Sequence, residues 1–153
     1  MTRLISTSRL RRLVSRFRRR SWAERMALAE AFVVVPAAWA ALRLVSFRRL
    51  LRTTRPPDGH VQWTAQHQRV CWAVQAVAKR WFPSRPCLVQ ALAALWLLRP
   101  RGVRPDLFLG VVREDGLFRA HAWLEVDGDV VLGGRRSPDV FQPFPPLVHS
   151  PYV

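Results

Sequence analysis

The spacing of apolar residues changes along the chain from a helical period to a period of two. Residues 8–20 carry Leu10, Leu13, Val14 and Phe17 at helical spacing among arginines, which predicts a short basic amphipathic helix. A longer helix should follow, from a capping box formed by a serine and a glutamate at positions 21 and 24 to about residue 51. A proline at position 36 is expected to kink or split this helix, because it lacks a backbone donor.

Two further helices are predicted. Residues 62–81 present a broad apolar face, and residues 87–98 are apolar nearly all round, which places the second of these helices in the centre of the core. Three strands then follow at residues 107–112, 118–126 and 130–132, and Asp-Gly at 127–128 is a hairpin signal between the last two.

Helices followed by an antiparallel meander predict an α+β fold in which the apolar helix packs on a small antiparallel sheet. We expect a basic arm over residues 1–20 and one domain over 21–153, which is helical over 21–100, forms a sheet over 106–134 and ends in a tail at 135–153.

Charge and cysteine content narrow the function classes. The net charge is +15, and residues 1–55 carry most of it, with 14 basic and 2 acidic residues. Only two cysteines are present, which predicts a reducing, cytoplasmic location.

The longest uncharged apolar stretch, residues 31–42, has twelve residues, so no membrane span is expected. This segment should be a buried or an interfacial helix.

Cys87 and His121 are the candidate catalytic pair. Cys87 follows Pro86 at the start of the apolar helix, where a helix N-terminus favours the reactive thiolate. His121 lies on a strand that this helix should cover, and an imidazole there can act as base and then as acid. A buried structural thiol and a histidine that only forms hydrogen bonds at a sheet surface are the alternatives for each residue taken alone.

The third member of a catalytic set is less obvious. Glu125 shares a strand face with His121 but lies about 13 Å along the strand, beyond direct reach. Asp139 follows the glycines opposite His121, and it is the candidate that orients the imidazole. His67 and Cys71 share a helix face, but without a close Cys-x2-Cys pair we predict no metal site.

Five segments together suggest a family. They are Ser-Trp-Ala-Glu-Arg at 21–25, Phe-Arg-Arg-Leu at 47–50, Pro-Cys-Leu-Val-Gln-Ala-Leu-Ala at 86–93, Leu-Phe-Leu-Gly-Val at 107–111 and Ala-His-Ala-Trp-Leu-Glu-Val-Asp-Gly at 120–128. With these segments the chain resembles the lasso-peptide biosynthesis B2 proteins, which are leader peptidases with a transglutaminase-like, papain-like fold.

The resemblance implies a cysteine peptidase that cuts the leader from a ribosomally made precursor, with Cys87 as nucleophile and His121 as acid–base. The family triad ends in an aspartate whose place here is Gly133. Asp139 substitutes, or a dyad operates, or a backbone carbonyl orients the imidazole. The chain offers no room for the leader-binding domain of longer members, so the resemblance implies a separate leader-binding protein and an asparagine-synthetase-like partner cyclase. This peptidase chemistry needs no metal ion. The family has been linked to ATP, but the sequence has no glycine-rich phosphate-binding loop.

Two other functions compete. The N-terminal arginines suit a binding protein for an anionic membrane surface or nucleic acid, of which the membrane, as a peripheral contact at its inner surface, is favoured. A transglutaminase-like acyltransferase keeps the fold but passes the acyl group to an amine instead of water.

Overall fold

The computed structural model describes residues 20–52, 61–82, 84 and 86–144. The elements in chain order are α1 (Trp22–Leu44), α2 (Phe47–Arg52), α3 (Ala65–Trp81), α4 (Cys87–Leu98), a 3₁₀ turn (Arg99–Arg101), β1 (Asp106–Glu114), β2 (Leu117–Val126), β3 (Asp129–Leu132), α5 (Ser137–Val140) and β4 (Gln142–Pro143). This is the predicted α+β fold. The predicted helix at residues 8–20 lies outside the described residues except for Arg20, whose guanidinium lies 4.5 Å from the centre of the Trp72 ring.

Helix α1 starts as predicted but ends differently. Ser21 Oγ accepts from the Glu24 N–H at 3.2 Å, and the Ser21 N–H donates to the Glu24 carboxylate at 3.0 Å. The helix was expected to kink or split at Pro36 and to run to about residue 51. It does not split there, because α1 continues through Pro36, and it ends earlier, at Leu44. Fully buried side chains on both sides of the proline hold the helix against α3 and α4, and this packing offsets the one lost backbone hydrogen bond.

The same helix bears on the membrane question. By length and composition alone α1 could cross a membrane, with a mean hydropathy of 1.6 in its most apolar window. The expectation that no segment is long enough was therefore wrong, because it counted only uncharged residues. One face of α1 packs in the domain core through Ala27, Ala31, Val35 and Ala38. Much of its other surface is apolar and exposed, with Leu44 83% exposed.

Helix α3 begins later than predicted because of a local cap. The Thr64 N–H donates to His67 Nδ1 at 3.1 Å, so the helix opens at Ala65 rather than at Gln62. Trp81, which was expected on the apolar face, is largely exposed and makes an edge contact with Phe32, with ring centres 5.0 Å apart. Helix α4 has the predicted bounds and a nearly completely buried surface.

The sheet is antiparallel, in the order β3-β2-β1-β4. The turn Asp127-Gly128 joins β2 and β3 as predicted, and a β-bulge interrupts their pairing between Leu124 and Glu125. Strand β4 was not predicted. It pairs with β1 at Gly110 and Val111, so part of the tail predicted for residues 135–153 belongs to the sheet. Helix α4 packs against β2.

Candidate active site

Cys87 is the first residue of α4. Pro86 precedes it with φ −65°, and this residue supplies no side-chain cap to the helix. The first N–H groups of α4 therefore keep their hydrogen-bonding capacity, since they have no acceptor within the helix. They also carry the positive end of the helix dipole, which stabilises an oxyanion formed beside it.

His121 lies on β2 and is held by a backbone carbonyl. Its Nε2 is 2.8 Å from the Gly133 oxygen, which also accepts from Ser137 Oγ at 3.0 Å. A carbonyl oxygen only accepts, so Nε2 carries the hydrogen in this bond. In the neutral imidazole Nδ1 is then the unprotonated nitrogen, and the tautomer needed for a general base at Nδ1 is already set.

Aromatic rings restrict the imidazole further. The Phe141 ring stacks on it with centres 4.9 Å apart, and Trp123 is stacked at 6.3 Å. Phe141 is positioned by the neighbouring strand β4, which the sequence analysis missed. An aromatic residue in a proline-rich tail was the only signal in the sequence, and nothing local indicated that it would reach the sheet.

Cys87 and His121 line one cavity of about 310 Å³. Gln75 from α3 and Gln90, one turn after Cys87, contribute amide side chains to it. Gly133 and Gly134 form the part of the wall next to β3. The structure therefore brings the two predicted residues together, with two amide donors that sequence reasoning did not single out. The spacing of three residues between Cys87 and Gln90 on one helix was a usable signal for the second of these.

The carboxylates lie elsewhere. Glu125 accepts a hydrogen bond from the Trp123 indole at 2.7 Å. Asp139 is exposed on the short helix α5 and is not among the residues that line the cavity of Cys87 and His121. Its role as third member stays a prediction. Of the three arrangements left open by the sequence, the observed hydrogen bond corresponds to orientation by a backbone carbonyl.

Gly133 stands where the resemblance expects an aspartate, and the structure leaves no room there for a side chain. Its φ is +107°, and an added Cβ would lie 2.5 Å from Trp123 Cβ and 2.9 Å from Trp123 Cα. The glycine is therefore needed for the close approach of β3 to β2 that brings its carbonyl to His121.

The second cysteine and histidine pair has a structural setting. Burial raises the pKa of Cys71 to about 12, so its thiol stays protonated near neutral pH. His67 caps α3, and burial, together with the charge of Arg101, lowers its pKa. Within the described part of the chain no three His, Cys, Asp or Glu side chains are placed to share a metal ion.

Comparison with known proteins identifies the superfamily. A family model described as the transglutaminase-like superfamily matches residues 31–147, and the chain belongs to that superfamily. Its members are generally cysteine proteases or acyltransferases, and the α+β architecture is consistent with their papain-like fold. No curated protein and no solved structure shows significant similarity to the chain.

Proposed function

For this chain of the transglutaminase-like superfamily, we propose that it is a cysteine peptidase that removes the leader from a lasso-peptide precursor. The observation that carries the peptidase chemistry is the shared cavity of Cys87 and His121, with Nε2 of the imidazole held by the Gly133 carbonyl. The five sequence segments that resemble the B2 leader peptidases support the choice of substrate.

The proposed reaction proceeds through an acyl-enzyme. His121 Nδ1 accepts the proton of the Cys87 thiol, and the thiolate attacks the carbonyl carbon of the scissile peptide bond. The N–H groups at the start of α4 donate to the oxyanion, assisted by the amides of Gln75 or Gln90. The imidazolium then protonates the leaving amine as the C–N bond breaks. Water, deprotonated by His121, hydrolyses the thioester.

The partners follow from the resemblance. A separate leader-binding protein would deliver the precursor, and an asparagine-synthetase-like cyclase would take up the freed amine of the core. The steps above use only side chains, backbone amides and water. We place the enzyme in the cytoplasm, with peripheral contact at the inner membrane surface through the basic arm.

The test uses purified precursor and leader-binding protein with three variants. Cys87→Ala is expected to abolish cleavage, and His121→Ala to lower its rate by about 10²–10⁴-fold. Cys71→Ala is the matched control, and it should retain activity because its thiol is buried and protonated. Full activity of Cys87→Ala would refute the enzyme proposal.

Mass spectrometry of the products separates the peptidase from the acyltransferase. Hydrolysis leaves a free carboxylate on the leader, whereas acyl transfer leaves an amide to a supplied amine. A leader fragment that carries the amine would assign the chain to the acyltransferases of its superfamily.

A further inference from the structure

A second and larger groove, of about 720 Å³, runs into the catalytic cavity. The two share Gln75, Leu132 and Gly134 as lining residues. One wall of the groove is β3 together with the Asp127-Gly128 turn, and the other is the α3 side, with Trp63, Gln68 and Gln75. A volume of this size is typical of a ligand site, and its continuity with Cys87 and His121 makes it the approach to the reacting bond.

Strand β3 is at the edge of the described sheet, and all four of its residues line this groove. Asp127 and Gly128 have φ of +54° and +85°, which is a type I′ turn. In such a hairpin the flanking pair, Val126 and Asp129, exchanges hydrogen bonds, and the next pair, Glu125 and Val130, does not. The N–H and C=O of Val130, which is one of the residues that line the groove, therefore point away from β2.

The opposite wall has groups that suit a peptide backbone. Gln68 and Gln75 are two helical turns apart on α3, so they share one face, and both are exposed. Their amides can donate to and accept from the outer edge of a strand laid along β3. Trp63, half-buried and packed on His67 with ring centres 5.5 Å apart, offers an apolar surface beside them.

The charges along the groove differ at its two ends. Asp129 lies at the hairpin end, and Arg135 lies near Gly134 at the end that meets the catalytic cavity. Strand β3 has four residues, which corresponds to about 13 Å of extended chain. A segment of that length suits the groove best with a basic residue at the hairpin end and an acidic residue near the scissile bond.

We propose that the substrate peptide binds in extended form as an added strand on β3, between this strand and Gln68 and Gln75 of α3. This inference rests on the proposed function, because it assigns the groove to the peptide that Cys87 cleaves. Pairing with Val130 provides sequence-independent binding, whereas Trp63, Asp129 and Arg135 select side chains.

The test measures alkylation of Cys87 by peptides with a central epoxysuccinyl group. The thiolate opens the epoxide by breaking a C–O bond, and the alkoxide takes up a proton. The peptides are extended residue by residue on one side or the other of the electrophile, and each rate constant is divided by that of iodoacetamide on the same protein. We expect this ratio to rise with length on one side.

Two groove variants test peptide binding in the groove separately from the reactivity of Cys87. Val130→Pro removes the outward N–H at an edge position that tolerates proline, and Trp63→Ala removes the apolar surface. Each should lower the ratio for the long peptide by about five- to tenfold, whereas Val130→Thr, which keeps the N–H, and the exposed Trp22→Ala should not change it. A peptide N-methylated at the amide that pairs with Val130 should show the same loss on the wild-type protein, so the test does not depend on the folding of Val130→Pro.

A ratio that does not depend on length, or that stays unchanged in both groove variants and with the N-methylated peptide, would overturn the strand proposal. A change of oligomeric state in Val130→Pro without loss of the ratio would also overturn it, since the edge would then pair two copies of the chain. The proposed function fails in a different way, namely if iodoacetamide reacts with Cys87 at the same rate in the wild type and in His121→Ala.

Discussion

We predict that introducing the aspartate of the family triad at position 133 will not improve the enzyme. Replacing Gly133 by Asp would place a carboxylate where the B2 leader peptidases carry one. We expect the variant to be less stable and less active than the wild type, because its Cβ would lie 2.5 Å from Trp123 Cβ. Relief of that contact requires β3 to move away from β2, and the carbonyl that holds His121 Nε2 moves with it.

A comparison with the neighbouring Gly134 separates the destabilisation caused by the contact with Trp123 from that caused by backbone strain. Gly134 has the same φ of +107°, but among the described residues a Cβ there meets only Ser137 Oγ, at an ordinary 3.6 Å. Both Gly133→Ala and Gly134→Ala therefore carry a backbone strain of about 1–3 kcal/mol. Gly133→Ala adds overpacking of about 1–3 kcal/mol, which at about 2–4 °C per kcal/mol lowers its Tm by roughly a further 2–12 °C.

Thermal melts compare the two alanine variants with each other and Gly133→Asp with the wild type. Precursor cleavage compares Gly133→Asp with Gly116→Ala. Gly116, in the β1–β2 turn, is the activity control, because its φ is also positive but no atom of the described part of the chain lies within 4 Å of an added Cβ. Misplacement of the base should reduce cleavage by Gly133→Asp about 10²-fold or more. Gly133→Asp that melts like the wild type and cleaves at least as fast would refute orientation of His121 by the carbonyl.

Three further predictions follow from the structure. The free energy of unfolding should decrease as the pH falls below 6.5, because the pKa of His67 is lowered in the folded protein and the unfolded chain therefore binds the proton more tightly. In chemical denaturation, His67→Gln should show a flatter pH dependence of this free energy, because glutamine preserves the capping box but does not titrate. Asp139→Ala should cleave the precursor nearly as fast as the wild type. Phe141→Ala, which removes the ring stacked on His121, should cleave it more slowly and should show an altered pH–rate profile. A slower cleavage by Asp139→Ala than by Phe141→Ala would support Asp139 as the third catalytic member. Deletion of residues 1–19 keeps the contact of Arg20 with Trp72 and should leave a folded protein. At physiological salt this protein should bind less to liposomes in flotation and to its partner in a pull-down. Unchanged binding in both assays would leave the arm without a role in association.

Local sequence determined much of the secondary structure and singled out the two candidate catalytic residues. The capping box at Ser21, the proline before Cys87 and the Asp-Gly turn at 127–128 each act through neighbours within four residues, so their chemistry can be recognised without the fold. Apolar spacing likewise predicted α4 and the β2–β3 hairpin. Cys87 and His121 were candidates because a helix start and a strand position are themselves local properties.

Only the tertiary structure decided how these parts meet. Pro36 stays inside α1 because core packing outweighs the single lost hydrogen bond, and β4 forms because the chain after α5 returns to the open edge of β1. The partner of His121 is the most consequential case. A backbone carbonyl carries no side-chain signal, and Gly133 reaches the imidazole only because β3 packs against Trp123 with no space for a Cβ. Such contacts depend on residues far apart in sequence, and no local pattern encodes them.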